Sequence, residues 1–487
     1  MTLLRKSLGN MSWLFANQAY RAVILFLRIA VLTAFLSREE FGLIAIANLF
    51  IGFVGLFQDM GFSVGILHKQ NITKKEYSTL YWFNLGVGAL LTLTLCGFAF
   101  PISHYYKDPI LVSVIVLLSF NVLLSSIGNQ HRTVLQKQHK HRFMVIVDLI
   151  GLTINFILSW YLAYKGYGVF AIVYSMLFYS FFSNIIFAYW GIFVKKNITF
   201  CYESSLLKPF FNIGLYQMGS RFLDYFVRQI DILFISSNFN KSDLGLYSLC
   251  KNFVILIYGF TAPMINSVLT PILSEIQNKT GLINKKIHEL LAVTSFLVMP
   301  LFFIPSFFSR EILFYVYGES YTDGALILSS LLIAYSILPN TSIVASLALA
   351  KGKTALSFKW TVFNSIIVLT FYLAVKSFSL EFITLNMITL FILSTYVYYL
   401  VVVRKITNLK YFKFIRFQGL FFALFILLFS YPYYYLHTNK PNLLQSIIIF
   451  IPVFCIYFLI SYNIVKHIEL LKNIQSIFFK KITKKIS

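Results

Sequence analysis

The chain has 487 residues, of which 58% are hydrophobic, 18% aromatic and only 12% charged. That balance excludes a soluble globule, in which about a quarter of the residues carry charge. The net charge of +24 does not point to nucleic acid, because the Lys and Arg residues cluster between apolar runs of about 20 residues, the length that crosses about 30 Å of hydrocarbon.

The first apolar run, 10–36, is too long and too interrupted by Arg21 and Arg28 for a cleavable leader, so it reads as the first span. Further spans follow near 40–66, 79–101, 108–127, 143–164, 168–193, 211–236, 242–268, 289–309, 324–350, 356–376, 380–403, 415–436 and 443–465. The expected fold is therefore an all-α, polytopic membrane protein of about fourteen transmembrane helices. The odd-numbered connections hold only Arg38, Lys107, Lys165, Lys241, Arg310, Lys376 and Lys440, while the even-numbered ones and both termini hold nearly all the other basic residues. By the positive-inside rule both termini are expected in the cytoplasm. Four cysteines, Cys96, Cys201, Cys250 and Cys455, show neither disulfide nor metal-ligand spacing.

An internal repeat organises these spans. Glu40-Phe41-Gly42-Leu43 recurs as Asp243-Leu244-Gly245-Leu246, and Arg21 and Arg28 of the first span recur as Arg221 and Arg228 of the seventh. A parallel duplication is expected, with an N-lobe over 1–200 (spans 1–6), a C-lobe over 201–403 (spans 7–12), two appended spans over 404–465 and a basic amphipathic tail over 466–487. A cleft between two such halves is the usual geometry of alternating access. The tail places Ile468, Leu471, Ile474, Phe478 and Ile482 at helical spacing among lysines, as an interfacial helix on the inner leaflet does.

A few ionisable residues remain at membrane depth: Arg21, Arg28, Asp59, Asp148, Arg221, Asp224, Arg228, Asp231 and Lys251. Each costs about 2.5–3.5 kcal/mol at the centre of a span, so each should face a polar interior or a partner. Arg21 and Arg28 are two helical turns apart and share one stripe without an acid in their own helix. In the seventh span Asp224 and Asp231 alternate with Arg221 and Arg228 at spacings of three and four, which permits an intrahelical ladder. One reading makes the four arginines the lining that binds an anionic headgroup, since guanidinium forks match phosphate oxygens in pairs. The other makes them structural ion pairs. Asp59, Asp148, Asp224, Asp231 and Lys251 are open to ion coupling or to structural pairing. The basic segment Gln130-His131-Arg132 to His139-Lys140-His141-Arg142 reads as a contact for anionic lipid heads, and Tyr433, Tyr434 and Tyr435 read as part of the aromatic belt.

Several strings carry a resemblance: Phe41-Gly42-Leu43, Phe57-Gln58-Asp59-Met60-Gly61-Phe62, Ile66-Leu67-His68-Lys69-Gln70, Leu80-Tyr81-Trp82-Phe83-Asn84-Leu85, Leu135-Gln136-Lys137 with Arg142-Phe143 and Asp148, and Leu244-Gly245-Leu246-Tyr247. In their order and spacing the chain resembles the Wzx-type, WzxC-like oligosaccharide flippases of the multidrug/oligosaccharidyl-lipid/polysaccharide (MOP) exporter superfamily, over about its first 400 residues. The resemblance implies a two-lobed, fourteen-helix transporter rather than an enzyme. It also implies that the transporter carries a polyprenyl-diphosphate-linked oligosaccharide, for O-antigen, capsule or exopolysaccharide, from the inner to the outer leaflet of the bacterial inner membrane. No cofactor or nucleic acid is expected; a proton or sodium gradient is the candidate energy source. Membrane lipids, a glycan polymerase and a chain-length regulator are the expected partners. Two rival readings are an ion-coupled multidrug antiporter of the same superfamily, which should have an anionic or apolar cavity, and a membrane enzyme such as a glycan polymerase, which should carry a larger external loop with an acid pair.

Overall fold

Ser37 and Thr73 show how the sequence starts a helix. The Ser37 hydroxyl accepts from the Glu40 backbone N–H while the Glu40 carboxylate accepts from the Ser37 N–H, and Thr73 and Glu76 repeat the arrangement. Such reciprocal caps satisfy donors that hydrocarbon would otherwise leave bare, each worth about 1 kcal/mol. In the computed structural model, residues 2–69, 71–195, 198–276, 280–439 and 443–468 are described. Most of the basic amphipathic tail expected over 466–487 lies outside them.

The described residues form helices and connections, with no strand. In chain order the helices are α1 (Thr2–Leu32), α2 (Arg38–Gln58), α3 (Phe62–His68), α4 (Lys74–Tyr106), α5 (Ile110–Lys137), α6 (His141–Tyr164), α7 (Val169–Tyr189), α8 (Lys208–Asn238) and α9 (Lys241–Ile276). They continue as α10 (Thr280–Phe307), α11 (Ser309–Ile312), α12 (Ala325–Tyr335), α13 (Leu338–Ala350), α14 (Thr354–Ala374), α15 (Leu380–Tyr398), α16 (Arg404–Ile406), α17 (Tyr411–Asn439) and α18 (Leu443–Val465). By length and apolarity, twelve helical segments among the described residues qualify as membrane spans. The two long helices outside that set, α1 and α8, each have 31 residues and carry the two arginine pairs. In α8 four ionisable residues fall between 221 and 231, so this helix needs polar surroundings that a lipid-facing span does not.

The second expected span is broken. Met60 (φ 43°) and Gly61 (φ 77°) take left-handed conformations, and the chain turns between α2 and α3 there. Asp59 stabilises the turn by accepting from the Ser63 backbone N–H (3.1 Å) and hydroxyl (2.6 Å). Apolar residues resume beyond Gln58 and Asp59, so the break is set by backbone conformation and a capping carboxylate.

The chain divides into two compact units, Met1–Leu249 and Cys250–Ser487. In the first, α5 packs between α4 and α7, α6 lies against α7 and α1, and α8 packs on α2 and α3. The starts of α2 and α9 meet within this unit. A Cβ on Gly42 would lie 2.3 Å from the Lys241 carbonyl oxygen, and one on Gly245 only 1.7 Å from that of Arg38. These are equivalent positions of the sequence repeat, so residue and partner exchange roles as they do across a two-fold contact. In the second unit α10 packs against α12, α13 and α17, and an aromatic cluster that includes Phe303, Phe307, Phe425, Phe429, Phe450 and Tyr457 joins α10 to α17 and α18.

Candidate functional site

Arg21 and Arg28, one stripe of α1, open onto a cavity of about 400 Å³ inside the first unit. Five helices build it. Besides the arginines and Leu25 of α1, the wall has Gly55 and Gln58 of α2, Asn121 and Ser125 of α5, Asn155 of α6, and Tyr179 and Ser180 of α7. The lining holds two cations and no carboxylate.

The walls are fixed by polar contacts that suit a low-dielectric setting, where an unpaired donor or acceptor is costly. The buried Gln58 amide nitrogen lies within hydrogen-bond distance of the Val122 carbonyl (2.9 Å) and the Ser125 (2.6 Å) and Ser126 (2.9 Å) hydroxyls, tying α2 to α5. The Asn155 amide donates to the Ser175 carbonyl at 2.7 Å, tying α6 to α7. Gly88 and Gly128 permit close helix approach, since a Cβ at either would strike Ser126 or Asn184.

Behind the wall, Asp148 of α6 is almost fully buried and serves two cations. Arg132 Nη2 lies 2.6 Å from Asp148 Oδ2, and Arg21 Nη1 approaches the same oxygen at 3.9 Å. The closer guanidinium takes the larger share of the carboxylate's field, because interaction energy falls with distance. Arg21, 37% exposed at its side chain, therefore keeps a surplus of positive charge toward the cavity. Arg28 has less compensation still. Its Nη2 reaches the Ser175 hydroxyl at 3.4 Å, its buried Nε meets no acceptor, and among the described residues it makes no ion pair.

The second arginine pair is placed differently. Neither Arg221 nor Arg228 lines this cavity. Arg221 reaches across from α8 to Asp59 at 3.5 Å, at the broken end of α2. Arg228 and Asp224 are exposed on α8, and Asp231 is buried, accepting from the Tyr247 hydroxyl at 2.6 Å. Lys251 is buried in α9. Asp59, Asp148 and Asp231 thus each hold a partner from another helix or segment.

Arg132 belongs to this group although the sequence places it in a basic connection. Helix α5 continues to Lys137 and the chain reverses at His139 (φ 55°), so Arg132 and Asp148 face each other across the α5–α6 turn. Counting back from the turn as far as Asp148 lies beyond it would have suggested the pair.

Residues 31–326 match the family described as polysaccharide biosynthesis protein. The teichuronic acid biosynthesis protein TuaB of Bacillus subtilis (strain 168) is 26% identical over 314 residues, 63% of this chain; the chain spans 64% of that relative, just under two thirds of its length. The lipopolysaccharide biosynthesis protein WzxC of Escherichia coli (strain K12) is 22% identical over 429 residues, covering 85% of this chain and 84% of that one. Among solved structures, the lipid II flippase MurJ in an inward closed conformation superposes with a TM-score of 0.74 at 16% identity, over 93% of this chain and 100% of that chain. An inward-facing multidrug resistance MATE family transporter of the MOP superfamily gives 0.58 at 14% identity, over 79% and 94%. At such identities the superpositions establish the fold, which is that of MOP-superfamily transporters, while the family match takes in more than half of the sequence. The chain is a multi-pass membrane protein that belongs to the polysaccharide biosynthesis protein family.

Proposed function

We propose that this protein is a flippase that carries a polyprenyl-diphosphate-linked oligosaccharide repeat unit from the inner to the outer leaflet of the bacterial inner membrane by alternating access, and that Arg21 and Arg28 receive the diphosphate. One observation carries the reading: a cavity whose lining has two arginines and no acid. Two arginines at membrane depth cost about 5–7 kcal/mol on insertion scales. Asp148 offsets part of this for Arg21 and nothing for Arg28. A phosphate oxygen about 4 Å from a guanidinium returns about 4 kcal/mol at the effective dielectric of such a site, so an anionic cargo supplies the balance that the protein withholds. The polyprenyl tail stays in hydrocarbon and needs no such help. The names of TuaB and WzxC and the flippase activity stated for MurJ support the same cargo class. A multidrug antiporter of this superfamily should have an anionic or apolar cavity, whereas Arg21 and Arg28 line this one.

The test is cell-surface glycan in a strain whose only copy is the variant. Arg21→Ala and Arg28→Ala are each expected to lower export at least tenfold with unchanged membrane abundance. Arg28→Lys should recover part of it, because a point charge replaces the bidentate fork. Wild-type export by the Arg21→Ala/Arg28→Ala double variant would remove these residues from the mechanism.

A further inference from the structure

A second cavity, of about 520 Å³, lies in the other unit, where the starts of α10 and α17 meet the end of α18. Lys285 comes from α10 and Lys413 and Arg416 from α17, and the imidazoles of His288 and His467 also line it. Glu289 is the one carboxylate in the lining, and Lys286, which lies outside the lining, already engages it at 2.9 Å. Lys285 stands 4.0 Å from the same residue. Counting Glu289 against Lys286, the lining keeps an excess of cations, with Lys285, Lys413 and Arg416 exposed to an arriving anion. The Asn284 side-chain oxygen accepts from the Asn408 backbone N–H, which ties the connection before α17 to α10 and fixes the pocket mouth. Leu409 and Ile468 add apolar wall. Beside it Phe412 is 81% exposed, the position an aromatic side chain takes at a membrane–water interface. Cations beside an apolar wall match a phosphate with acyl chains attached.

We propose that this pocket binds a phosphate group, that of an anionic phospholipid headgroup or of a soluble phosphate, at a site separate from the Arg21 and Arg28 cavity. Arg416 supplies the fork, while Lys285 and Lys413 supply point charges. The bound anion joins α10 to α17 and α18 at their basic ends.

The full-length protein in detergent would be exposed to phosphatidylglycerol, phosphatidylcholine or neither, and bound lipid read by native mass spectrometry. Parallel samples without lipid would be titrated with inorganic phosphate and followed by thermal unfolding. Expected is at least tenfold preferential retention of phosphatidylglycerol, lost in K413A/R416A and kept in R21A/R28A. Stabilisation by inorganic phosphate that K413A/R416A loses would also support the site and identify a soluble source. If K413A/R416A does not fold, K285Q should weaken retention and E289Q should strengthen it. Equal retention of both lipids by the native protein, with no phosphate effect, or retention that these variants leave unchanged, overturns the proposal.

Discussion

Arg21 differs from Arg132 by about an ångström of distance to the same oxygen, 3.9 Å against 2.6 Å, and that difference governs what Arg21 is able to bind. Removing Arg132 is expected to hand Asp148 to Arg21 and so neutralise one of the two cations at the cavity. Arg132→Ala should therefore reduce glycan export severalfold although Arg132 does not line the cavity, and Arg132→Ala/Asp148→Asn should regain part of the loss, since the competing carboxylate is gone. Export assayed alongside membrane abundance checks this; a double variant no better than the single would mean that Arg132 serves folding alone. Asp148→Asn by itself strips two guanidiniums, each about a third exposed, of their acid and is expected to destabilise. At this scale the sequence was only partly legible. Spacing alone put Arg21 and Arg28 on one stripe, and the structure places both on the cavity wall. It could not show that Arg221 reaches Asp59 on another helix, because a local pattern of Arg and Asp at three and four allows intrahelical pairs equally well.

Apolar runs are a long-range property of the chain and survive local irregularity, which is why helix after helix falls where hydropathy puts it. Breaks inside a run depend on one or two residues. The turn between α2 and α3 rests on Gly61 and on the Asp59 cap, with apolar residues on either side; Gly61→Ala should cost about 1–2 kcal/mol from the left-handed backbone alone. Close helix approach is equally silent in hydropathy. Gly42→Ala or Gly245→Ala forces a methyl to within 2.3 or 1.7 Å of a backbone carbonyl oxygen, a backbone clash expected to cost about 1–3 kcal/mol. Gly86→Ala, which meets open space, is the control and should be neutral or slightly stabilising in its helix. Thermal unfolding of the purified variants separates them; equal midpoints for Gly42→Ala and Gly86→Ala would show that the helix starts yield freely.

Taken whole, the chain makes contacts across the connection near residue 200. Helix α8 lies beyond residue 200 yet packs on α2 and α3, with Tyr225 donating to the Leu49 carbonyl at 2.7 Å and Arg221 bridging to Asp59. Asp108 at the α4–α5 turn likewise holds Lys241 at 2.6 Å. Fragments 1–197 and 198–487, produced together, are therefore expected to co-purify through a tag on either one. Recovery of the tagged fragment alone would show that the covalent connection is needed. The repeat was legible because it is written in residue identities; the placement of α8 was not, because it depends on which faces meet.

The meeting of Gly42 with Gly245 carries a genetic consequence. Each glycine lacks a methyl where the other's neighbouring carbonyl sits, so a small separation of the two helix starts admits one methyl or two with nearly the same displacement. The two replacements together should then cost less than their separate effects added, a coupling that distant sites do not show. Two codons about two hundred positions apart are coupled by this contact, and tolerance at one depends on what the other encodes.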